Sequence, residues 1–391
     1  MVILNARVYP MEREPIAQGY VQMRDGVFTA CGSMSAYVPD GDEEIDAAGA
    51  YLLPGIVDAH THIGIWEEGI GGEGDDTNEG SDPATPHLRA IDAINTRDPA
   101  FQTALEGGVT TVVTGPGSGN PIGGQFAAIK TGGSLWLDDR VVAAPVSMKF
   151  ALGENPKHEY GDHDDAPMTR MATAAIIREN LSKAVEYRDK LLRAEEDEDC
   201  DPPDFDSKCE ALLPVVNGEL PAHFHAHRAD DIATAVRIAR EFGLRFSIVH
   251  ATEAALIREP LSRLDDRFLG LITGPLLGTR SKPELSNLSF ASPAQLCESG
   301  ITTALCTDHQ VVPENYLMLC AALAVKNGMR EQDALAAITI SAARTAGIEA
   351  RVGSIAPGKD ADVVLFDRHP FDLFAKVRLV TINGQAVYRD F

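Results

Sequence analysis

Alternating apolar and polar positions at both ends of the chain predict short β-strands. Residues 1–53 contain several such runs, and an Asp-Gly pair at 25–26 marks a turn. The C-terminal residues have the same pattern, with an Asn-Gly turn at 383–384. Because neither end has enough strands to bury a face alone, we expect residues 1–53 and 350–391 to form one small β-sandwich domain together.

The pattern changes between residues 54 and 349, where apolar strands alternate with helical periodicity. Strand followed by helix, repeated over this length, predicts an α/β fold with a parallel sheet. A TIM-like (β/α)8 barrel fits the length best, although residues 116–145 contain one or two strands that the pattern does not number. Helices are predicted near residues 85–106, 169–194, 229–242 and 331–346.

Composition and charge narrow the classes of partner. The chain has 391 residues and a net charge of -24, which would repel nucleic acid and anionic lipid. The sequence contains no run of about 18 apolar residues of the kind that predicts a membrane span. The charged N-terminus is unlike a secretory signal. The six cysteines form no C-x-x-C pair, which suits a reducing compartment. We therefore expect a cytoplasmic protein with a small-molecule substrate and no nucleic-acid or membrane partner.

Two histidines separated by one residue lie in "VDAHTHIG", where the first strand of the predicted barrel ends. Strand side chains alternate, so His60 and His62 face the same way and can reach one ion. Barrels of this kind place their sites at the carboxyl ends of strands, and imidazole and carboxylate are ligands of Zn²⁺ and similar ions. Later predicted strands present further residues of these types: His223, His225 and His227 in "PAHFHAH", His250 in "FSIVHATEA", and Asp308 in "ITTALCTDHQ". A metal centre is therefore predicted.

The motifs "LLPGIVDAHTHIG" and "GSIAPGKDADVVLFD", together with the histidines and aspartate on later strands, resemble the amidohydrolase superfamily of metal-dependent hydrolases. The closest likeness is to imidazolonepropionase-like and prolidase-like members, and it spans essentially the whole chain. The resemblance implies hydrolysis of a C–N bond in a small amide, cyclic amide or dipeptide-like molecule by a metal-activated hydroxide. It also implies one or two divalent metal ions, with Zn²⁺ expected, and a homo-oligomer.

The resemblance assigns ligand roles to individual residues. The family's two-metal members also have a bridging ligand from a middle strand, for which "VSMKFALGENPK" offers a carboxylated Lys149 or Glu154. Lys149 is favoured because burying a lysine as a cation is costly. On the fifth strand, His223 or His227 remains an alternative to His225. The ligands matched to the first, fifth, sixth and eighth strands are His60 and His62, His225, His250 and Asp308.

Catalytic roles follow from this predicted centre. Asp308 is expected to act as a general base as well as a ligand, taking a proton from water and passing it to the leaving amine. His227 is a candidate for stabilising the developing oxyanion, with a purely supporting role as the alternative.

Substrate specificity has weaker signals. Arg228 follows the fifth strand, and Arg280 follows the seventh with Lys282 nearby, so a guanidinium there could bind a substrate carboxylate. For each arginine, an ion pair with a neighbouring acidic residue is the alternative. The loop of residues 67–80, directly after the histidine pair, is expected to act as an active-site lid.

Two other functions remain open. Deamination of a heterocycle, also known in the superfamily, usually goes with one metal ion and a catalytic residue such as Glu253, three positions after His250. A catalytically inactive scaffold protein would be expected to have lost metal ligands, and every expected ligand type is present here.

Overall fold

The computed structural model describes residues 1–161 and 165–390, which form two eight-stranded sheets surrounded by helices. The strands are β1 (Val2–Val8), β2 (Ile16–Arg24), β3 (Val27–Ser33), β4 (Glu44–Asp46), β5 (Tyr51–Pro54), β6 (Ile56–Thr61), β7 (Val109–Thr114), β8 (Ile122–Lys130), β9 (Val141–Ala151), β10 (Ala222–Ala226), β11 (Phe246–His250), β12 (Phe268–Thr273), β13 (Thr303–Leu305), β14 (Val363–Phe366), β15 (Val377–Ile382) and β16 (Gln385–Arg389). The α-helices are α1 (Pro99–Glu106), α2 (Asn155–Gly161), α3 (Arg170–Glu196), α4 (Ser207–Val216), α5 (Ala229–Phe242), α6 (Arg258–Leu261), α7 (Ser292–Glu298), α8 (Leu317–Lys326), α9 (Glu331–Ala337) and α10 (Ile340–Ala346).

The first sheet joins the two ends of the chain. Its strand order is β16-β15-β14-β5-β1-β2-β3, and β4 pairs with β1. The sheet curls, so that the Thr381 hydroxyl oxygen on β15 lies 4.0 Å from the Met23 sulfur on β2. The expected sandwich is therefore made by one curled sheet rather than by two separate ones. This pairing supports our proposed division into a terminal β domain (1–53 with 350–391) and a barrel domain (54–349).

The second sheet is a nearly closed eight-stranded barrel in the order β6 to β13. The main-chain N–H of Asp308 donates to the carbonyl of His60 at 3.2 Å, and that of His62 donates to His309 at 3.0 Å. These bonds link the chain after the last strand to the end of the first. The structure confirms the α/β barrel class, and it brings the carboxyl ends of β6 and β13 together.

One barrel strand departs from the expected parallel arrangement. β8 runs antiparallel to both β7 and β9, while the other neighbouring pairs are parallel. The uncertain region of residues 116–145 thus contains β8 and the first part of β9. The segment from Gly115 to Pro121 contains three glycines and two prolines, which disfavour a crossover helix between β7 and β8.

Two of the predicted helices match the structure closely. α3 and α5 occupy the expected ranges, and α5 ends at Gly243, whose φ of 67° suits glycine. The helix predicted over 85–106 was wrong in its first half: the α-helix begins only at Pro99, capped by the Asp98 carboxylate, which accepts from the Ala100 N–H at 3.0 Å. The helix predicted at 331–346 is interrupted at Thr339, whose dihedrals are not helical.

The barrel wall is packed on its outer side by helices. Phe150 and Phe224 stack with ring centroids 5.0 Å apart and belong to one apolar cluster with Ile177 of α3 and Ile238 of α5. Because strand side chains alternate, Lys149 and His223 face the barrel interior instead. Among the described residues, no helix combines the length and apolarity needed to cross a membrane.

Candidate metal centre

The ends of the first and last barrel strands hold one group of possible ligands. Asp308 Oδ1 lies 3.5 Å from His60 Nε2 and 3.3 Å from His62 Nε2. Ligand atoms of all three residues lie within 4.8 Å of one another. Thr61, between the two histidines, faces away and donates its hydroxyl to Glu314. Strand alternation therefore aims both imidazoles at one carboxylate.

A second group of possible ligands is formed by histidines from β10 and β11. One nitrogen each of His225, His227 and His250 lies within 4.8 Å of the others. His250 has a φ of 66°, a left-handed conformation at the strand end. The two groups adjoin, because the rings of His60 and His250 have centroids 5.5 Å apart.

Backbone carbonyls fix the orientation of two histidines. The Nδ1–H of His62 donates to the Gly115 carbonyl at 2.7 Å, and that of His250 donates to the Gly274 carbonyl at 2.8 Å. A carbonyl only accepts, so both rings carry their proton on Nδ1. Their Nε2 lone pairs are left free, which is how metal-binding histidines are usually held.

His60 is held by another histidine. Its Nδ1 lies 3.0 Å from His223 Nε2, and His223 Nδ1 lies 3.1 Å from the Ser247 hydroxyl. If each ring donates from Nδ1, His60 is left with an Nε2 lone pair, and that buried atom has no hydrogen-bond partner. Both nitrogens of His223 are engaged in hydrogen bonds, which favours His225 and His227 as candidates for the ligand on the fifth strand.

Of the two remaining histidines on the fifth strand, His225 has fewer hydrogen bonds to its ring nitrogens. Neither of its buried ring nitrogens has a hydrogen-bond partner, whereas His227 Nδ1 lies 2.8 Å from the Thr252 hydroxyl. Buried polar atoms without partners are rare in folded proteins and cost stability. The orphaned nitrogens of His60 and His225 therefore fit a divalent cation, and so does the donor set of imidazoles and a carboxylate.

Burial sets the protonation of this centre. It lowers the pKa of His60, His225 and His227 well below the usual value and that of His250 to about 4. Burial alone would raise the pKa of Asp308, but His250 and the other imidazoles hold it well below its usual range. At neutral pH His60, His225, His227 and His250 are thus neutral imidazoles and Asp308 is a carboxylate, the forms that bind metal ions.

Lys149 lies inside the barrel at the level of His223, its neighbour across the β9–β10 pair. The side chain is fully buried, and Nζ has no hydrogen-bond partner. Burial lowers the pKa of Lys149 to about 8, so that a neutral amine is accessible near neutral pH. A buried amine without a partner among the described residues suits the bridging role that the sequence predicts for Lys149, and that role stays a prediction.

Glu154, the alternative bridging residue, lies beyond the end of β9. Its main-chain N–H donates to Glu284 Oε2 at 3.2 Å, and it belongs to neither of the two ligand groups among the described residues. The turn at Gly153, with a φ of 91°, separates it from the strand. Lys149 lies within β9 opposite His223, whereas Glu154 follows the strand, so Lys149 stays the favoured bridging residue.

The two arginines expected to bind substrate do not line the cavity. Arg228 forms two hydrogen bonds of 2.9 Å to Asp230, the ion pair considered as an alternative. Arg280 donates to the carbonyls of Ser286 and Leu288 in its own loop. Their guanidinium groups are occupied elsewhere, which corrects the sequence-based expectation.

A cavity of about 330 Å³ opens onto the two ligand groups. Trp66, Thr77 and Asn78 line it, so the segment expected to act as a lid borders the site. Leu285, Leu288 and Val311 add apolar surface. The cavity is large enough for a small molecule but not for a folded protein segment.

Sequence reasoning missed the carboxylate of Glu284. It is 1% exposed, and its Oε1 lies 3.6 Å from His227 Nε2 and 3.9 Å from His225 Nε2. No motif marks it, because it lies in an irregular loop after β12. Asp58 was missed too, although "DAHTH" places it in the same alternation as His60. It accepts from the His60 and Thr307 main-chain N–H groups.

Comparison with known proteins identifies the class. The amidohydrolase family model matches residues 219–387. A crystal structure of an amidohydrolase from Thermotoga maritima MSB8 is 42% identical, with full coverage of both chains and a TM-score of 0.94. The chain belongs to the amidohydrolase family, as its motifs and metal-ligand pattern predicted.

Two curated relatives are more distant and longer. The amidohydrolase tasK of Hapsidospora irregularis is 31% identical over 382 residues, covering 90% of this chain and 38% of its own length. An adenine deaminase of Listeria innocua serovar 6a (strain ATCC BAA-680 / CLIP 11262) is 23% identical over 393 residues, covering 99% of this chain and 57% of its own. The chain thus spans between about a third and three fifths of the length of these two relatives.

Proposed function

We propose that this protein is a metal-dependent hydrolase that cleaves the C–N bond of a small amide, cyclic amide or dipeptide-like molecule. The observation that carries the proposal is the set of imidazole nitrogens left without protein partners at the strand ends. His60, His62 and Asp308 form one half of the centre, and His225 and His250 form the other. In the proposed binuclear centre Lys149, as a carboxylated lysine, would be a further ligand.

Divalent cations held by these residues, with Zn²⁺ as the expected ion, would lower the pKa of water and polarise the scissile carbonyl. The chain supplies the proton transfers. Asp308 is the base that accepts a proton from the attacking water and returns it to the leaving nitrogen. Its position between His60 and His62 holds the carboxylate at the floor of the cavity.

His227 is proposed to stabilise the developing negative charge on the carbonyl oxygen. If Thr252 donates its hydroxyl hydrogen to Nδ1, the Nε2–H of His227 remains available as a donor. The His227 side chain belongs to the same compact group as His225 and His250. A fixed donor in a dry site stabilises an oxyanion better than water does, because it need not reorganise.

Deamination of a heterocycle is the second candidate, because an adenine deaminase is among the relatives. The catalytic residue considered for it, Glu253, has its carboxylate engaged elsewhere. One oxygen accepts from the Ala229 N–H at 2.8 Å and the other from the Asn287 amide at 2.8 Å. Glu253 also does not line the cavity. Amide hydrolysis is therefore the better supported function.

The first test is elemental analysis of protein purified without chelator, after expression with zinc and bicarbonate. We expect close to two metal ions per chain and hydrolysis of members of a panel of amides, lactams and dipeptides. The His60→Ala/His62→Ala double variant should lose metal and activity while its circular dichroism spectrum stays unchanged. About one ion per chain with ammonia release from purines would favour the deaminase.

No metal, even after reloading, would contradict a catalytic centre and favour the inactive scaffold. Action in the cytoplasm, assembly as a homo-oligomer and the absence of nucleic-acid and membrane partners remain predictions. Cell fractionation tests the location in the cytoplasm, and sedimentation analysis tests the assembly as a homo-oligomer.

A further inference from the structure

We propose that Lys282 binds a carboxylate of the substrate, which defines the substrate class as amides bearing a free acid, such as N-acyl amino acids and dipeptides. The inference rests on the proposed C–N hydrolysis and adds a second anchoring point to it. The second anchoring point lies in the wall of the cavity that is formed by the loop after β12.

The first observation is the position of the ammonium group. Lys282 lines the same cavity as His225, His227 and His250, and its side chain is 26% exposed. Among the described residues that line this cavity, it is the one lysine or arginine. In a chain with a net charge of -24, an anionic substrate needs such a cation to offset repulsion from the protein.

The second observation is that Lys282 is held in place. Its Nζ lies 2.6 Å from Glu284 Oε1 and donates to Asn155 Oδ1 at 2.8 Å. Glu284 is itself buried and fixed by the Glu154 N–H. An ammonium group has three N–H donors, so two held by protein acceptors leave a third for a ligand in the cavity.

A second donor lies beside the ammonium. Asn155 accepts from Lys282 through Oδ1 and donates through Nδ2 to the Ser118 hydroxyl oxygen at 2.6 Å. The hydroxyl hydrogen of Ser118, which also lines the cavity, can therefore point to a ligand. An ammonium and a hydroxyl donor match the two oxygens of a carboxylate, with the ammonium forming a charge-assisted bond.

The spacing suits a small acid. Glu284 Oε1 is in contact with Lys282 and lies 3.9 Å from His225 Nε2, so one carboxylate oxygen separates the ammonium from the histidine group. A molecule with its amide at the histidines can therefore place a carboxylate at Lys282. Leu285 and Leu288 line the same wall and suit an apolar side chain on that acid.

The test compares N-acetyl-L-leucine, N-acetyl-L-methionine and leucyl-leucine with their methyl esters, using the metal-loaded enzyme. We expect the wild type to hydrolyse at least one free acid with a kcat/KM at least 10-fold above that of its ester. Lys282→Met should raise the KM of the acid roughly 10- to 100-fold and leave the ester unaffected. Lys282→Arg should retain part of the preference.

Arg228→Met is the matched control, because it removes a positive charge next to His227 but outside the cavity. It should leave the kinetics of both acid and ester unchanged. Since Lys282→Met leaves Glu284 buried without its cation, the double variant Lys282→Met/Glu284→Gln serves if the single variant fails to fold.

Equal rates for acid and ester in the wild type, or an unchanged acid KM in the Lys282 variants, would overturn the carboxylate site. Activity on neutral amides or lactams alone, with metal bound, would overturn it while leaving the proposed hydrolase function intact. Loss of the hydrolase proposal itself has a separate signature: no metal on the chain and no hydrolysis of any amide.

Discussion

Lys149 Nζ lies 5.3 Å from the centre of the Phe126 ring. An aromatic face attracts a cation only weakly, and the side chain is completely buried without a hydrogen-bond partner. A cation left in this way is costly, whereas an amine that has added CO₂ becomes an anionic ligand. The contact with Phe126 thus marks a lysine whose charged form is poorly stabilised by the protein alone.

Replacing Lys149 with methionine should therefore lower the metal content of the protein without lowering its stability. Methionine fills a similar volume without a charge, so we expect an unchanged thermal midpoint, less than two metal ions per chain and a loss of activity of about 100-fold or more. In wild-type protein prepared with ¹³C-bicarbonate, a carbamate signal should appear by NMR, and it should be absent from the variant. Full metal loading of Lys149→Met would contradict the bridging role.

His223 should control metal affinity without touching the metal. It holds His60 through a 3.0 Å contact, so His223→Gln should loosen the orientation of the His60 ring. We expect a roughly 10- to 100-fold loss of metal affinity, measured by competition with a chelator. Ser247→Ala, one contact further away, should have a smaller effect. Equal affinity in His223→Gln and wild type would show that His60 needs no such support.

The residues grouped at the strand ends could be predicted because two regular rules placed them. Alternation within a strand aims His60 and His62 together, and the common end of parallel barrel strands brings Asp308 and His250 beside them. Neither rule requires knowledge of a particular contact. The same regularity made the α5 helix predictable, because its apolar face repeats with the helical period.

The rest of the site depends on loops, where no period exists. Lys282 reaches the cavity through a segment after β12, where it contacts the buried Glu284. Arg280, two residues before Lys282, donates to carbonyls of that same segment. The sequence showed basic residues there but not which one faces inward. For the same reason the direction of β8 was not predicted, since glycine-rich connections do not indicate which way a strand runs.

A buried group of charges, formed by one lysine and two aspartates, joins the barrel to the terminal sheet. We expect it to contribute to the free energy of unfolding. Lys130, at the end of β8 and 2% exposed, lies 2.5 Å from Asp362 and 2.8 Å from Asp360, just before β14. Lys130→Met would leave these carboxylates without their shared cation. We expect a loss of about 3–5 kcal/mol in the free energy of unfolding, measured by urea denaturation.

Lys183→Met is the control for this loss, since its pair with Glu179 is exposed on α3. It should leave the urea midpoint unchanged. A Lys130→Met variant that is as stable as the control would contradict this expectation. It would mean that Arg351, which remains paired with Asp360, and the surrounding groups compensate both carboxylates without Lys130.

Glu314 should make stability fall as the pH rises. Burial and the neighbouring Asp58 raise the pKa of Glu314 well above its usual value, while its Oε2 accepts from the Thr61 hydroxyl. A carboxyl group whose pKa is higher in the folded state stabilises it fully below the unfolded pKa. That contribution is lost as the pH rises through the folded pKa.

Glu314→Gln replaces the protonated acid with an amide of similar shape that does not ionise. We therefore expect urea midpoints of the variant to decline less than those of the wild type between pH 5 and pH 9. Glu314→Leu, which cannot accept from Thr61, should be destabilised at every pH because a buried hydroxyl loses its partner. Glu179→Gln, on the exposed face of α3, controls for removal of a surface charge. Parallel pH profiles of Glu314→Gln and wild type would mean that Glu314 is ionised throughout this range, and that its charge is compensated within the Asp58 network.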